Sequence, residues 1–190
     1  MLRGKNMTIY KTYKHGIKSY EIINQMLAYV FPNRYDLVVV DLTFGLGRFY
    51  RIAKKRITNL IGVDIEKHDW EVKPNVFYQM PCELFVERVL KKEIELPQYV
   101  DLVVVDPPWS RAVRGRFPKN IGVSSMPYHL NNININTIIS AAEKLAMYLN
   151  TKLLYRYKES LTCNHVFKAE ARVTIMNNKG IIHYGICSFE

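Results

Sequence analysis

Two runs of one leucine and three valines, Leu37–Val40 and Leu102–Val105, each end directly on an aspartate, Asp41 and Asp106. A run of this kind has no polar position to turn toward water. It must be a strand covered on both faces, which is the condition of a strand inside a parallel sheet with helices above and below. The rest of the chain alternates accordingly. Asn59–Asp64, Asn75–Tyr78 and Lys152–Tyr157 read as further strands, and Leu102–Val105 forms the end of a strand that begins at Val100. Apolar residues recur at helical spacing in Gly16–Phe31 (Ile17, Tyr20, Ile23, Met26, Leu27 and Val30), and again in Cys82–Lys92 and Asn134–Leu149. Phe49–Lys55 reads as a shorter helix, and Pro32 and Asn33 stop the first one. Ala171–Met176 and Ile181–Cys187 form a hairpin about the turn-prone Asn177-Asn178-Lys179-Gly180. The expected fold is α/β: a mostly parallel seven-stranded sheet, a C-terminal antiparallel hairpin, and helices on both faces. One domain is expected over residues 1–190, with a basic, polar arm over residues 1–15 leading into the first helix.

Composition narrows the function classes. Lys and Arg number 27 against 17 Asp and Glu, a formal charge of +10. Such a surface attracts polyanions, so nucleic acid is the natural partner. The three cysteines, Cys82, Cys163 and Cys187, form no CxxC pair, which argues against a disulfide framework or a zinc site. The histidines lack metal-ligand spacing, and no metal is expected. No secretory signal pattern opens the chain, and the apolar runs are far too short to cross a membrane. A cytoplasmic protein without a membrane partner is expected.

The first candidate site follows the first strand, where Asp41-Leu-Thr-Phe-Gly45-Leu-Gly47 leads toward a helix. Glycines suit a tight turn and let a ligand approach bare backbone. A dinucleotide fingerprint would need a third glycine, but Tyr50 stands three places after Gly47. The phosphate-cradling GxxxxGK[ST] is also absent. What remains is Asp41, the GxG turn, and Asp64 at the end of the next strand. An acid there can accept hydrogen bonds from ribose hydroxyls, which points to an adenosine without a pyrophosphate.

The second candidate site is Asp106-Pro107-Pro108-Trp109. The two prolines donate no N–H, end the ladder and stiffen the corner. That corner presents a carboxylate, the Pro107 carbonyl and an indole in a fixed arrangement. It suits a planar base bearing an amino group. The carboxylate and carbonyl each accept one amine hydrogen bond, drawing the nitrogen lone pair out of ring conjugation, while the indole stacks on the base for roughly 1–3 kcal/mol.

These two motifs together resemble the Rossmann-like class I methyltransferases, specifically the amino-methyltransferases of DNA and RNA. Asp41-Leu-Thr-Phe-Gly-Leu-Gly47 is similar to their cofactor motif, and Asp106-Pro-Pro-Trp109 meets their [DNS]-P-P-[YFW] tetrapeptide in full. The tryptophan variant resembles the adenosine N6-methyltransferases of eukaryotic messenger RNA. That family has the two motifs in the opposite order, so the likeness stops at the tetrapeptide. The resemblance spans roughly Leu37 to Tyr157 and the terminal hairpin. It implies S-adenosylmethionine as cofactor and in-line methyl transfer to an exocyclic amine, adenine N6 ahead of cytosine N4 or guanine N2. It implies cofactor contacts by Asp41, Thr43, Phe44, Gly45, Gly47 and Asp64, and catalytic roles for Asp106, Pro107, Pro108 and Trp109. Where the family often has a polar residue contacting the adenine, this chain reads Tyr78-Gln79-Met80, and Gln79 is the candidate. In the family, the region of Tyr10, Tyr13, Lys14 and His15 often folds over the cofactor.

Residues 110–131 read as a substrate loop. Arg111, Arg114, Arg116 and Lys119 lie where phosphates flanking a flipped base would sit. Arg156, between Tyr155 and Tyr157, reads as an ordinary strand residue. Two other function classes stand beside the first: a catalytically inactive nucleic-acid-binding subunit, and a methyltransferase acting on a small molecule or protein.

Overall fold

The computed structural model describes residues 9–14, 17–106, 135–158, 168–177 and 180–188. Pro107, Pro108, Trp109, Arg111, Arg114, Arg116 and Lys119 lie outside these residues, as do the centre of the hairpin turn and His15.

The elements are β1 (Ile9–Lys14), α1 (Ser19–Val30), β2 (Leu37–Asp41), two 3₁₀ turns (Arg48–Tyr50 and Ala53–Arg56), β3 (Ile57–Asp64), β4 (Val76–Gln79), α2 (Cys82–Leu90), β5 (Leu102–Val105), α3 (Ile135–Tyr148), β6 (Lys152–Lys158), β7 (Lys168–Asn177) and β8 (Gly180–Ser188). They build one eight-stranded sheet in the order β1-β7-β8-β6-β5-β2-β3-β4. The pairs β2/β3, β3/β4, β2/β5 and β5/β6 are parallel. β8 runs antiparallel to both β6 and β7. The mostly parallel sheet with an antiparallel C-terminal pair is therefore the expected architecture.

Two differences from the sequence reading have physical causes. Ile9–Lys14, expected within the arm, is a strand that pairs in parallel with β7. Its sequence IYKTYK mixes β-branched and aromatic residues with lysines. Such alternation is the composition of an edge strand, and the lysines mask it as a polar tail. Phe49–Lys55 is not an α-helix but falls in the two 3₁₀ turns, closed by bonds such as Tyr50 N–H to the Gly47 carbonyl at 3.0 Å. The backbone there closes i to i+3 bonds, Tyr50 to Gly47 and Arg51 to Arg48, in place of an i to i+4 ladder.

The sheet is covered on both faces. On one, Ile22, Ile23, Met26 and Leu27 of α1 pack with Tyr50, Ala53, Leu37, Val39, Val104 and Leu154. On the other, Phe85, Val86 and Val89 of α2 and Ala141, Ala142, Leu145 and Ala146 of α3 pack on Val40, Val103, Val105 and Leu153. Burying an apolar side chain of Leu or Ile size stabilises by about 1.5–3 kcal/mol. The three alanines of α3 let its backbone approach the sheet closely. Consecutive valines of β2 and β5 alternate between the two cores, which is why the runs before Asp41 and Asp106 have no polar position.

This topology fixes where a ligand can bind. From β2 the chain steps outward to β3 and β4, then returns to β5 on the other side of β2 and continues outward to β6. The strand order reverses between β2 and β5. A crevice opens beyond the carboxyl ends of two parallel strands at such a point. Asp41 ends β2 and Asp106 follows β5, so both aspartates stand at this crevice.

Candidate active site

The two strand ends are tied together by hydrogen bonds. Leu42 N–H donates to the Val104 carbonyl at 2.9 Å. Thr43 is the bridge: its N–H donates to Asp41 Oδ1 at 2.9 Å, and its Oγ1 accepts the Asp106 N–H at 2.6 Å. The glycine turn and the aspartate of the tetrapeptide are thus neighbours in space, although 61 residues part Gly45 from Asp106 by number.

The turn itself is fixed from behind. Gly45 and Gly47 have φ of +53° and +70°, values that L side chains rarely adopt. At Gly47 a Cβ would lie 2.4 Å from the Val72 carbonyl oxygen and 2.9 Å from the Phe44 ring. At Gly45 it would meet nothing within 4 Å. One glycine therefore serves packing, and the other faces open space. Gly47→Ala is expected to destabilise the fold by roughly 2–5 kcal/mol, from left-handed strain plus the clash. Gly45→Ala should cost about 1–2 kcal/mol, from strain alone. Urea unfolding of the two variants checks the difference; equal losses would mean that the two positions are equivalent.

Asp64 Oδ2 accepts the Gly45 N–H at 2.7 Å and Oδ1 accepts the Glu66 N–H at 3.2 Å. The acid at the end of β3 thus secures the glycine turn directly. Phe44 is buried, stacks on Tyr50 with ring centroids 5.9 Å apart, and fills the space over Gly62, where a Cβ would come within 2.7 Å of its ring. Gln79 is exposed, its amide donating to the Ile65 carbonyl at 3.4 Å.

Tyr50 explains why a third glycine is missing. It is 1% exposed, and its hydroxyl donates to Asp41 Oδ2 at 2.7 Å. Asp41 is itself buried, and burial pushes its carboxyl up to about 7, against the opposing hydrogen bonds from Tyr50 and the Thr43 N–H. The nearby charges of Asp106 and Asp64 push the same way.

Around these groups lies a cavity of about 550 Å³, within the roughly 300–1,000 Å³ typical of small-ligand sites. It is lined by Asp41, Thr43, Phe44, Gly45 and Leu46, by Asp106 and Arg156, and by Lys18, Ser19 and Tyr20 of the α1 entry. Arg48 and Arg51 stand at it as well, both paired with Glu71. Gly47, Asp64 and Gln79, expected as cofactor contacts, are not among the residues lining it.

No family model matches the chain, and no curated protein does. Solved structures do match. An rRNA methylase from Streptococcus thermophilus is 13% identical, with 90% of this chain and 95% of that one covered at a TM-score of 0.50. A candidate methylase from Haemophilus influenzae is 10% identical, with 90% and 98% covered at a TM-score of 0.50. The fold is that of the Rossmann-like methyltransferases.

Within that fold the structure brings together Asp41, Thr43, Phe44, Gly45 and Asp106 at the cavity. Two participants escaped the sequence reading. One is Tyr50, noticed only as a missing glycine. The other is Arg156, read as a plain strand residue: its Nη1 donates to Asp106 Oδ2 at 2.8 Å and Oδ1 at 3.1 Å. Among the described residues no cluster of His, Cys, Asp or Glu could hold a metal, and no helix is long and apolar enough to cross a membrane.

Proposed function

We propose that this chain transfers a methyl group from S-adenosylmethionine to an exocyclic amine of a nucleic-acid base, adenine N6 before cytosine N4 or guanine N2. The observation that carries this reading is the Thr43 bridge, which sets the Asp41 and Asp106 carboxylates on one cavity beside open glycine backbone.

The residues present fit the cofactor. Gly45 leaves room for a ligand against bare backbone. Asp41 is the carboxylate at the cavity that a cationic ligand would favour, since Asp106 is already paired with Arg156 and burial raises the cost of ionising Asp41. Gly45, Asp41 and Thr43 would hold the cofactor, and Asp64, which holds the Gly45 N–H from outside the cavity lining, is the proposed ribose acceptor through its remaining acceptor sites. When bound, S-adenosylmethionine supplies an electrophilic methyl on a sulfonium centre.

The protein's part is positioning and electrostatics. Asp106 accepts an N–H of the target amine, and the Pro107 carbonyl accepts the other. The lone pair then lies out of ring conjugation and free to attack. Trp109 stacks on the base, which reaches the site from a single strand or flipped from a duplex. Arg111, Arg114, Arg116 and Lys119 hold flanking phosphates. The charge of +10 and a fold shared with an rRNA methylase support RNA beside DNA as substrate.

Titration calorimetry with S-adenosylmethionine tests the reading: saturable heat at one site is expected, reduced in Gly45→Ala. An absence of heat would favour an inactive binding subunit. Replacing Arg111, Arg114 and Arg116 together by Gln should flatten the salt dependence of oligonucleotide binding by a log–log slope of about 2–3. An unaltered slope would remove them from phosphate contact.

A further inference from the structure

Arg156 is an unusual residue for its place. It lies on β6 between two sheet neighbours, on the same face as the fully buried Leu154. Val105 of β5 pairs with Tyr155 of β6, so the next step along both strands brings Asp106 level with Arg156. Arg156 in turn pairs in register with Tyr184 of β8. Its guanidinium lies 5.7 Å from the centre of the Tyr184 ring, and the Tyr184 hydroxyl shares a 2.8 Å hydrogen bond with Ser19 Oγ. Phe49 meets the same ring edge-on at 6.4 Å. A row of Asp106, Arg156 and Tyr184 thus crosses three strands and is braced at its far end by the start of α1.

This row does little for stability. Guanidinium and carboxylate are both mostly withdrawn from water, with side chains 26% and 17% exposed. Desolvation offsets much of their attraction, and a well-packed apolar pair would hold such a position as well or better. The arrangement gains orientation instead. A single guanidinium nitrogen touches both carboxylate oxygens, and a carboxylate has about four acceptor sites. Both residues also line the cavity.

We infer that Arg156 is a positioning residue, which fixes the Asp106 carboxylate at the cavity wall as the acceptor for the target amine. This rests on the methyltransfer reading for the identity of that amine, but not for the pairing itself. Among the described residues, the charged and titratable groups that face Asp106 include Arg156 from β6, Asp41 from the end of β2, Tyr50 from the first 3₁₀ turn and Tyr184 from β8. Arg156 is the cation among them. It favours the ionised form of Asp106, and the carboxylate of Asp41 opposes it. An ionised Asp106 can only accept, as the amine requires, whereas a protonated one would turn an O–H toward it.

The test compares the ligand-free full chain with Arg156→Gln, which keeps a hydrogen-bonding side chain without the charge, and Arg156→Lys, which keeps the charge without the fork. Carbon-13 NMR of labelled aspartate carboxyls, assigned through Asp106→Asn, reads the Asp106 midpoint. It is expected to rise by about one pH unit or more in Arg156→Gln and by clearly less in Arg156→Lys. With labelled S-adenosylmethionine and mixed single-stranded DNA and RNA, the acid limb of the methyl-transfer profile should move up with that midpoint, and the lysine variant should restore it. An Asp106 midpoint unchanged in Arg156→Gln would overturn the inference. So would a loss of transfer equal at every pH. Should the native chain methylate neither pool, the methyltransfer reading fails, while the carboxyl titration still decides the role of Arg156.

Discussion

Asp106→Ala is expected to lower methyl transfer by roughly a hundred- to a thousandfold, the loss typical of removing one preorganised polar contact to a reacting group. Affinity for S-adenosylmethionine should stay nearly unchanged, because the glycine turn and Asp41 are secured by other bonds: Tyr50 to Asp41, Asp64 to Gly45, and Phe44 N–H to the Val63 carbonyl. The variant also strands the Arg156 guanidinium, so its fold should be followed alongside its rate. Asp106→Asn keeps a carbonyl acceptor and should fall between the two. Rapid-quench measurement of labelled methyl transfer with saturating cofactor checks the ranking of Asp over Asn over Ala. Native-like transfer by the alanine variant would dismiss the catalytic assignment.

Asp41→Asn is expected to produce a large effect on stability that depends on pH. In the folded chain burial raises the Asp41 carboxyl to about 7 from an ordinary value of 3.8. The folded state therefore holds the proton more tightly than the unfolded chain does. The stability this contributes is complete below about pH 4, falls as pH rises through 7, and is then lost by roughly 4 kcal/mol in all. Asparagine mimics the protonated acid: its carbonyl accepts from the Thr43 N–H and its amide donates to the Tyr50 oxygen. The variant should match the native chain near pH 4 and exceed it near pH 8. It should also bind S-adenosylmethionine more weakly, since a carboxylate that is costly in the empty site is favoured beside a cation. Thermal or urea unfolding at the two pH values measures this, and a difference that does not change with pH would contradict it.

The layout of the sheet was legible because Leu37–Val40 and Leu102–Val105 are wholly apolar, and because parallel strands bring their carboxyl ends to one side. Those two facts place Asp41 and Asp106 on the same side of the sheet, and the pairing of β2 with β5 makes them neighbours there. Residues whose partners depend on register were not legible. Arg156 meets Asp106 only because β6 pairs with β5 at a particular offset, and no local pattern in Lys152–Lys158 states that offset. An arginine within a strand otherwise bound for the core was the available signal. Tyr50 was hidden differently: it was judged against a glycine pattern, whereas its position lets a hydroxyl reach the buried acid of the same loop. β1 was missed because parallel pairing with a strand near the other end of the chain leaves no mark in a short basic segment.

The most direct measurement is to incubate the purified protein with methyl-labelled S-adenosylmethionine and separate pools of DNA and RNA, digest each to nucleosides, and locate the label by mass spectrometry. The account predicts one added methyl on an exocyclic amine, adenine N6 first, and about a hundredth of that label or less with Asp106→Ala. Label confined to a ring carbon or a ribose hydroxyl, or no label in either pool, would contradict it.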